Sequence, residues 1–176
     1  MNKIGGLTMK PIVGIVMGSD SDLVVMEEAG KVLDSFGVGY EITIASAHRS
    51  PDKIREYIHS AEKIGIKIII AGAGWAAHLA GVIAAETTIP VIGVPIDSSP
   101  LLGIDSILSM LQMPSGIPVA TMALGKGGAK NAAILAVQIL AVNDKDLQKK
   151  LKDYKKKMAD EVEEKDKRLK VKMAKR

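Results

Sequence analysis

Apolar residues in this chain come in two patterns: short unbroken runs, and longer stretches where they recur every three or four positions. Five unbroken runs stand out, at residues 12–17, 40–45, 66–71, 91–95 and 119–124. Each is apolar, or nearly so, along its whole length rather than at alternate positions. That marks strands covered on both faces, as in a parallel sheet. The stretches between them keep a helical period. Met26, Ala29, Val32 or Leu33 and Phe36 form one stripe that Gly37 ends, and Ile54, Ile58, Ala61 and Ile64 form another that ends at Gly65. Asp20 or Ser21 is placed to cap the first helix, and Ser50 before Pro51 to cap the second. Strand and helix in steady alternation predict a doubly wound α/β fold around a parallel sheet.

Beyond Asn143 the pattern changes. Leu147, Leu151, Tyr154, Met158 and Val162 form a narrow seam on an otherwise charged stretch, the pattern of a long helix meeting one partner. A helix folded back on its own domain is the alternative, and docking on a neighbouring subunit is the expectation. The organisation predicted is one domain: a flexible start at 1–9, an α/β core at 10–143 and a charged C-terminal helix at 144–176. Met9 competes with Met1 as the true start, because the first strand follows it at once.

Composition narrows the class. Hydrophobic residues make up 47% of the 176 but aromatics only 3%, so Val, Ile, Leu, Met and Ala must build the core. There is no cysteine, which removes disulfides, thiolate chemistry and zinc–thiolate sites. No apolar run approaches the ~18–20 residues of a membrane span, and residues 1–8 lack a signal peptide's apolar stretch. The cytoplasm is the expected location. The net charge of +4 hints at nucleic acid, but from Asp144 onward 14 Lys/Arg stand against 8 Asp/Glu, leaving the rest of the chain at −2. A mixed-charge tail with no aromatic interleaving argues against nucleic-acid binding.

In an open parallel sheet, ligands bind beyond the carboxyl ends of the strands. Three loops predicted there carry polar chemistry: MGSDSD (17–22), SAHRSP (46–51) and GAGWAAHLAG (72–81). The first offers hydroxyls at Ser19 and Ser21 and free N–H groups at a helix start, an anion site. Asp22 is suited to ribose hydroxyls, though the same residues would also serve as plain helix caps. Arg49 brings the planar fork that grips phosphate. His48 and His78 are the titratable candidates near neutral pH. His59 falls with Arg55, Glu56 and Glu62 on a polar helix face and is set aside as solvated. No metal-binding spacing of histidines and carboxylates occurs. Gly72 to Ala77 fits the loose G-x-G-x-x-A dinucleotide fingerprint, with Asp97 at a suitable distance for ribose. That keeps an oxidoreductase as a rival reading.

GSDSD, SAHRSP, AGAGWAAHLAG and QMPSGIPVATMALGKGGAKNAAILA together resemble the N5-carboxyaminoimidazole ribonucleotide mutases of purine biosynthesis, class I of the phosphoribosylaminoimidazole carboxylase catalytic-subunit family. The likeness runs in order from about residue 11 to about 160. It implies a three-layer doubly wound (flavodoxin-like) α/β fold, a homo-octamer whose C-terminal helix reaches a neighbouring subunit, and an isomerase that uses no metal or organic cofactor. By motif, Ser19, Asp22 and Arg49 look like the nucleotide-binding residues, with Ser46, Ala73, Gly74 and Leu79 lining the same pocket. His48 looks like the acid/base, and His78 like the histidine set against the base and carboxylate.

The chain departs from the family pattern GGAAHLPG at two places, where Trp75 replaces a glycine and Ala80 a proline. An indole there either narrows the crevice or points outward. A sister class that carboxylates aminoimidazole ribonucleotide directly with carbon dioxide is similar in fold. It carries SAHKT and lacks AAHL, so Arg49 and His78 favour the mutase.

Overall fold

The computed structural model describes residues 10–174 and, nearer the start, the backbone of two short antiparallel strands, β1 (Lys3–Ile4) and β2 (Leu7–Thr8). The expectation of a flexible start, and the choice between Met1 and Met9, otherwise lie outside the described residues. Then follow β3 (Val13–Met17), α1 (Leu23–Phe36), β4 (Tyr40–Ile44), α2 (Pro51–Ile64), β5 (Ile68–Ala73) and α3 (Leu79–Glu86). The chain continues through β6 (Val91–Pro95), α4 (Ile104–Leu111), β7 (Ala120–Thr121), α5 (Gly125–Ala141) and α6 (Lys145–Ala174).

Strands β3 to β7 form one sheet in the order β4-β3-β5-β6-β7, every pair parallel, with helices on both faces. This is the doubly wound fold the apolar pattern predicts. From β3 the chain moves outward to β4, then returns to β5 on the other side of β3. Strand order therefore reverses between β3 and β5, and a crevice opens beyond their carboxyl ends.

β3, β5 and β6 are buried along their whole length, which explains their unbroken apolar runs. β4 differs from that expectation. It lies at the sheet edge, where Ile42 and Ile44 are 40% and 42% exposed. β5 lies two residues further along than its apolar run suggested. Ile66 still belongs to the exit of α2, donating its N–H to the Ala61 carbonyl at 2.9 Å behind Gly65. At the far end Gly72 extends the pairing because only glycine leaves room for Met26, whose sulfur a Cβ there would strike. The last strand shrinks from six expected residues to the pair Ala120–Thr121. One further ladder bond, Met122 N–H to the Gly93 carbonyl at 2.8 Å, follows before the chain turns into α5.

Two caps also correct the expectation. Ser19, rather than Asp20 or Ser21, caps a turn of 3-10 helix (Asp20–Asp22) that leads into α1. Ser50 stands at the N-cap of α2 without capping it. Its hydroxyl instead accepts from the Ser46 N–H at 2.9 Å and donates to the Ser46 carbonyl at 3.3 Å, which ties off the loop between them.

The chain divides into two compact units, Met1–Val137 and Gln138–Arg176. In the second, the Asp144 carboxylate caps α6 by accepting from the N–H groups of Asp146 and Leu147 at 2.9 and 3.0 Å. Leu147 is buried, while Met158 and Val162 of the same seam are exposed. Among the described residues no helix is long and apolar enough to cross a membrane.

Candidate active site

The loops leaving β3, β4 and β5 line one cleft of about 710 Å³, a size suited to a small ligand. Gly18, Ser19, Ser21 and Asp22 come from the first loop, and Ser46, Ala47, His48 and Arg49 from the second. Ala73, Gly74, Trp75, Ala77, His78 and Leu79 come from the third. Every residue assigned above to nucleotide binding or acid/base chemistry in the mutase reading therefore lines the same cleft. Sheet order is the cause: β4, β3 and β5 are neighbours, so loops far apart in sequence emerge side by side.

The shortest contact between loops joins the two histidines. His48 Nε2 lies 2.7 Å from His78 Nδ1, with the rings edge to face and their centroids 4.8 Å apart. One ring must donate and the other accept, so at least one imidazole is neutral while the bond holds. His78 thereby orients His48. Arg49 ties the second loop to the first by donating Nη2–H to the Gly18 carbonyl at 3.2 Å. Its Nε also reaches Ser46 Oγ at 3.5 Å. A guanidinium has five N–H donors, so these bonds leave donors for an anion.

The first loop is a weaker anion cradle than its sequence suggested, because its own acceptors use the N–H groups. Ser19 N–H donates to Asp22 Oδ2 at 3.1 Å, and Ser21 N–H donates to Asp20 Oδ1 at 3.0 Å. Its hydroxyls are engaged within the loop as well: Ser21 Oγ donates to Ser19 Oγ at 3.0 Å and Ser19 Oγ to Asp20 Oδ1 at 3.1 Å, so each must turn to meet an anion. Asp22 is only 5% exposed. Burial pushes its carboxyl above the usual range, against the pull of the Ser19 and Gly18 N–H groups and of Arg49.

That direction has a consequence for stability. A carboxyl that holds its proton more tightly folded than unfolded loses stability as pH rises from below its unfolded value through its folded one. Asp22→Asn carries no such loss. The variant should therefore melt above the native chain at neutral pH, with the gap closing as pH falls through the carboxyl range. Paired thermal melts at pH 7 and near pH 3 check this. A variant that melts lower at neutral pH would contradict it.

One feature escaped the sequence reading. Ser98, beyond β6, also lines the cleft. Its signal was position alone, since β6 pairs with β5 and its outgoing loop opens on the same side. It also explains Gly74, where a Cβ would run into Ser98 Oγ and come within 3.0 Å of the Ile96 carbonyl. Trp75, whose placement the sequence left open, lines the cleft and is 60% exposed. Ala80, the second departure from the family pattern, is fully buried. His59 is exposed on α2, away from this cleft.

The dinucleotide reading fits poorly. Asp97 is absent from the lining of the cleft. Ala77 lies in a turn closed by its own N–H on the Gly74 carbonyl at 3.0 Å, ahead of the helix rather than inside it. Among the described residues no group of three His, Cys, Asp or Glu is placed to hold a metal ion.

Comparison with known proteins places this cleft. The family model for AIR carboxylase matches residues 12–161, taking in the three loops and five strands. The chain belongs to the AIR carboxylase family. One family relative, the N5-carboxyaminoimidazole ribonucleotide mutase of Pyrococcus horikoshii, is 60% identical over 91% of this chain and 89% of its own. The phosphoribosylaminoimidazole carboxylase of Candida glabrata is 52% identical over 87% of this chain, which spans only 26% of that longer protein. Among solved structures, Treponema denticola PurE superposes with a TM-score of 0.82 at 34% identity, covering 90% of this chain and 98% of its own. As an AIR carboxylase family member, the chain has the fold and loop set that its apolar pattern and motifs predicted.

Proposed function

We propose that this chain is an N5-carboxyaminoimidazole ribonucleotide mutase, an isomerase that moves a carboxylate from the exocyclic nitrogen of its substrate to carbon 4 of the imidazole. One observation carries the reading: a hydrogen-bonded pair of histidines faces the same cleft as Arg49 and four serines. Arg49, Ser19 and Ser21 bind the phosphate. Asp22 accepts from the ribose hydroxyls. Ser46, Ala73, Gly74 and Leu79 shape the floor.

The chemistry then needs one proton carrier. The N–CO₂⁻ bond breaks, releasing carbon dioxide within the cleft, and His48 delivers a proton to the nitrogen that keeps the bonding pair. Carbon 4 attacks the carbon dioxide and briefly holds both a hydrogen and the new carboxylate. His48, now neutral, removes that hydrogen and aromaticity returns. One proton is given and one taken back, so the isomerisation balances without any other reagent. Imidazole suits both directions because its intrinsic basicity lies near working pH. His78 holds the ring of His48 in line throughout.

The runner-up is a direct carboxylase, the activity named for the Candida glabrata relative. An isotope experiment separates the two. Supplied with N5-carboxyaminoimidazole ribonucleotide in labelled bicarbonate, a mutase that retains its carbon dioxide puts little label into product. A carboxylase equilibrating with the medium labels it fully, and that result would replace the mutase reading.

The proposal extends to a cytoplasmic homo-octamer. Apolar side chains left exposed on this chain, among them Leu101, Leu102, Ile104, Leu108 and Leu111, support burial against further copies. Sedimentation equilibrium reads the subunit number, and a monomer at micromolar concentration would remove this part.

A further inference from the structure

We propose that Trp75 recognises the heteroaromatic ring of the substrate by stacking its indole against it, which makes it a specificity-determining residue. The inference rests on the mutase reading above and adds to it the group that reads the base.

Trp75 is placed unfavourably on two counts. Its backbone is left-handed at φ 55, a region that bulky side chains avoid, and Ala77 two residues on is also positive at φ 28. Its large apolar ring is nonetheless 60% exposed. The turn that imposes this is held at both ends. Gly74 is wedged against Ser98, the Ala77 N–H closes onto the Gly74 carbonyl, and Ala77 and Leu79 are buried. The turn therefore presents the indole at the cleft at the expense of the fold, which points from strain to function.

The rest of the lining shows what the indole is for. Serine hydroxyls, Asp22 and Arg49 match a phosphate and a ribose, the two histidines form a proton site, and the remaining apolar lining is alanine and Leu79. None of these offers an extended apolar plane. The indole does, and an offset-stacked heterocycle would cover it.

The test uses the full chain and two ligands, aminoimidazole ribonucleotide and ribose 5-phosphate, the second lacking the ring. Trp75 is the chain's one tryptophan, so its emission reports on this position alone. Aminoimidazole ribonucleotide should change that emission, and ribose 5-phosphate should bind with little change. By calorimetry, Trp75→Gly should weaken aminoimidazole ribonucleotide by about 5- to 150-fold, the scale of one lost stacked base. It should leave ribose 5-phosphate within about twofold, and Trp75→Phe should retain most of the affinity. Glycine accepts φ 55 without strain, so Trp75→Gly keeps the fold, and a circular dichroism melt verifies it.

Equal weakening of both ligands, weakening of neither, or unchanged emission at saturation would overturn the inference. A changed sedimentation coefficient in Trp75→Gly with affinity intact would also overturn it, by making the indole a subunit contact. Failure of the native chain to bind aminoimidazole ribonucleotide is a different result: it brings down the mutase reading itself, and this inference with it.

Discussion

With His48 replaced by asparagine, turnover should fall by about 10²–10⁴ while the substrate still binds. The imidazole acts twice in the proposed cycle, first giving a proton to nitrogen and then taking one from carbon 4, so its loss obstructs both halves. Arg49, Ser19 and Asp22 are untouched, and KM should stay within a few-fold. Steady-state kinetics reads both quantities. His78→Asn is the informative companion. His78 acts through the 2.7 Å bond that orients His48, so its loss should lower kcat less steeply and leave binding intact. Near-normal turnover in His48→Asn would transfer the acid/base role to His78.

Arg49→Ala should have the opposite bias and show itself chiefly in KM. A hydrogen bond to a charged group contributes enough to predict a rise of about 10- to 150-fold. Some loss of kcat should accompany it, because the same guanidinium holds the Gly18 carbonyl at 3.2 Å and so joins two loops of the cleft. Arg49→Lys discriminates further. Lysine restores the charge but not the planar fork, so a fork that matters leaves KM only partly recovered. If Arg49→Ala binds substrate normally, the phosphate lies elsewhere and the orientation proposed here is wrong.

Most of the sheet was readable from apolar runs because β3, β5 and β6 are buried on both faces and selected for nothing else. β4 was misread as equally covered, since Ile42 and Ile44 look like core residues in sequence whether a helix or another molecule lies over them. Strand ends failed where tertiary contacts decide them: Ile66 is retained by the exit of α2, and Gly72 is admitted to β5 by Met26. At the site, the three loops were legible because hydroxyls, Arg49 and two histidines interrupt apolar surroundings. What sequence could not convey was which donors were already engaged. The N–H groups of Ser19 and Ser21 read as free until Asp22 and Asp20 were seen to accept from them. Ser98 was invisible for a related reason, since a serine in the loop IDSSP carries no chemistry until the strand order places that loop beside the one leaving β5.

The isoleucines on the outer face of β4 have a consequence for the life of the newly made chain. An edge strand carrying exposed apolar side chains is a surface on which unrelated chains aggregate. In the proposed octamer, a subunit that has finished its own sheet is still unfinished, and meeting its copies becomes the final step of folding. Its apparent melting temperature should then rise with protein concentration, as for any fold completed by mass action. In the proposed assembly, the supply of active enzyme would then be limited by encounter between copies as well as by synthesis.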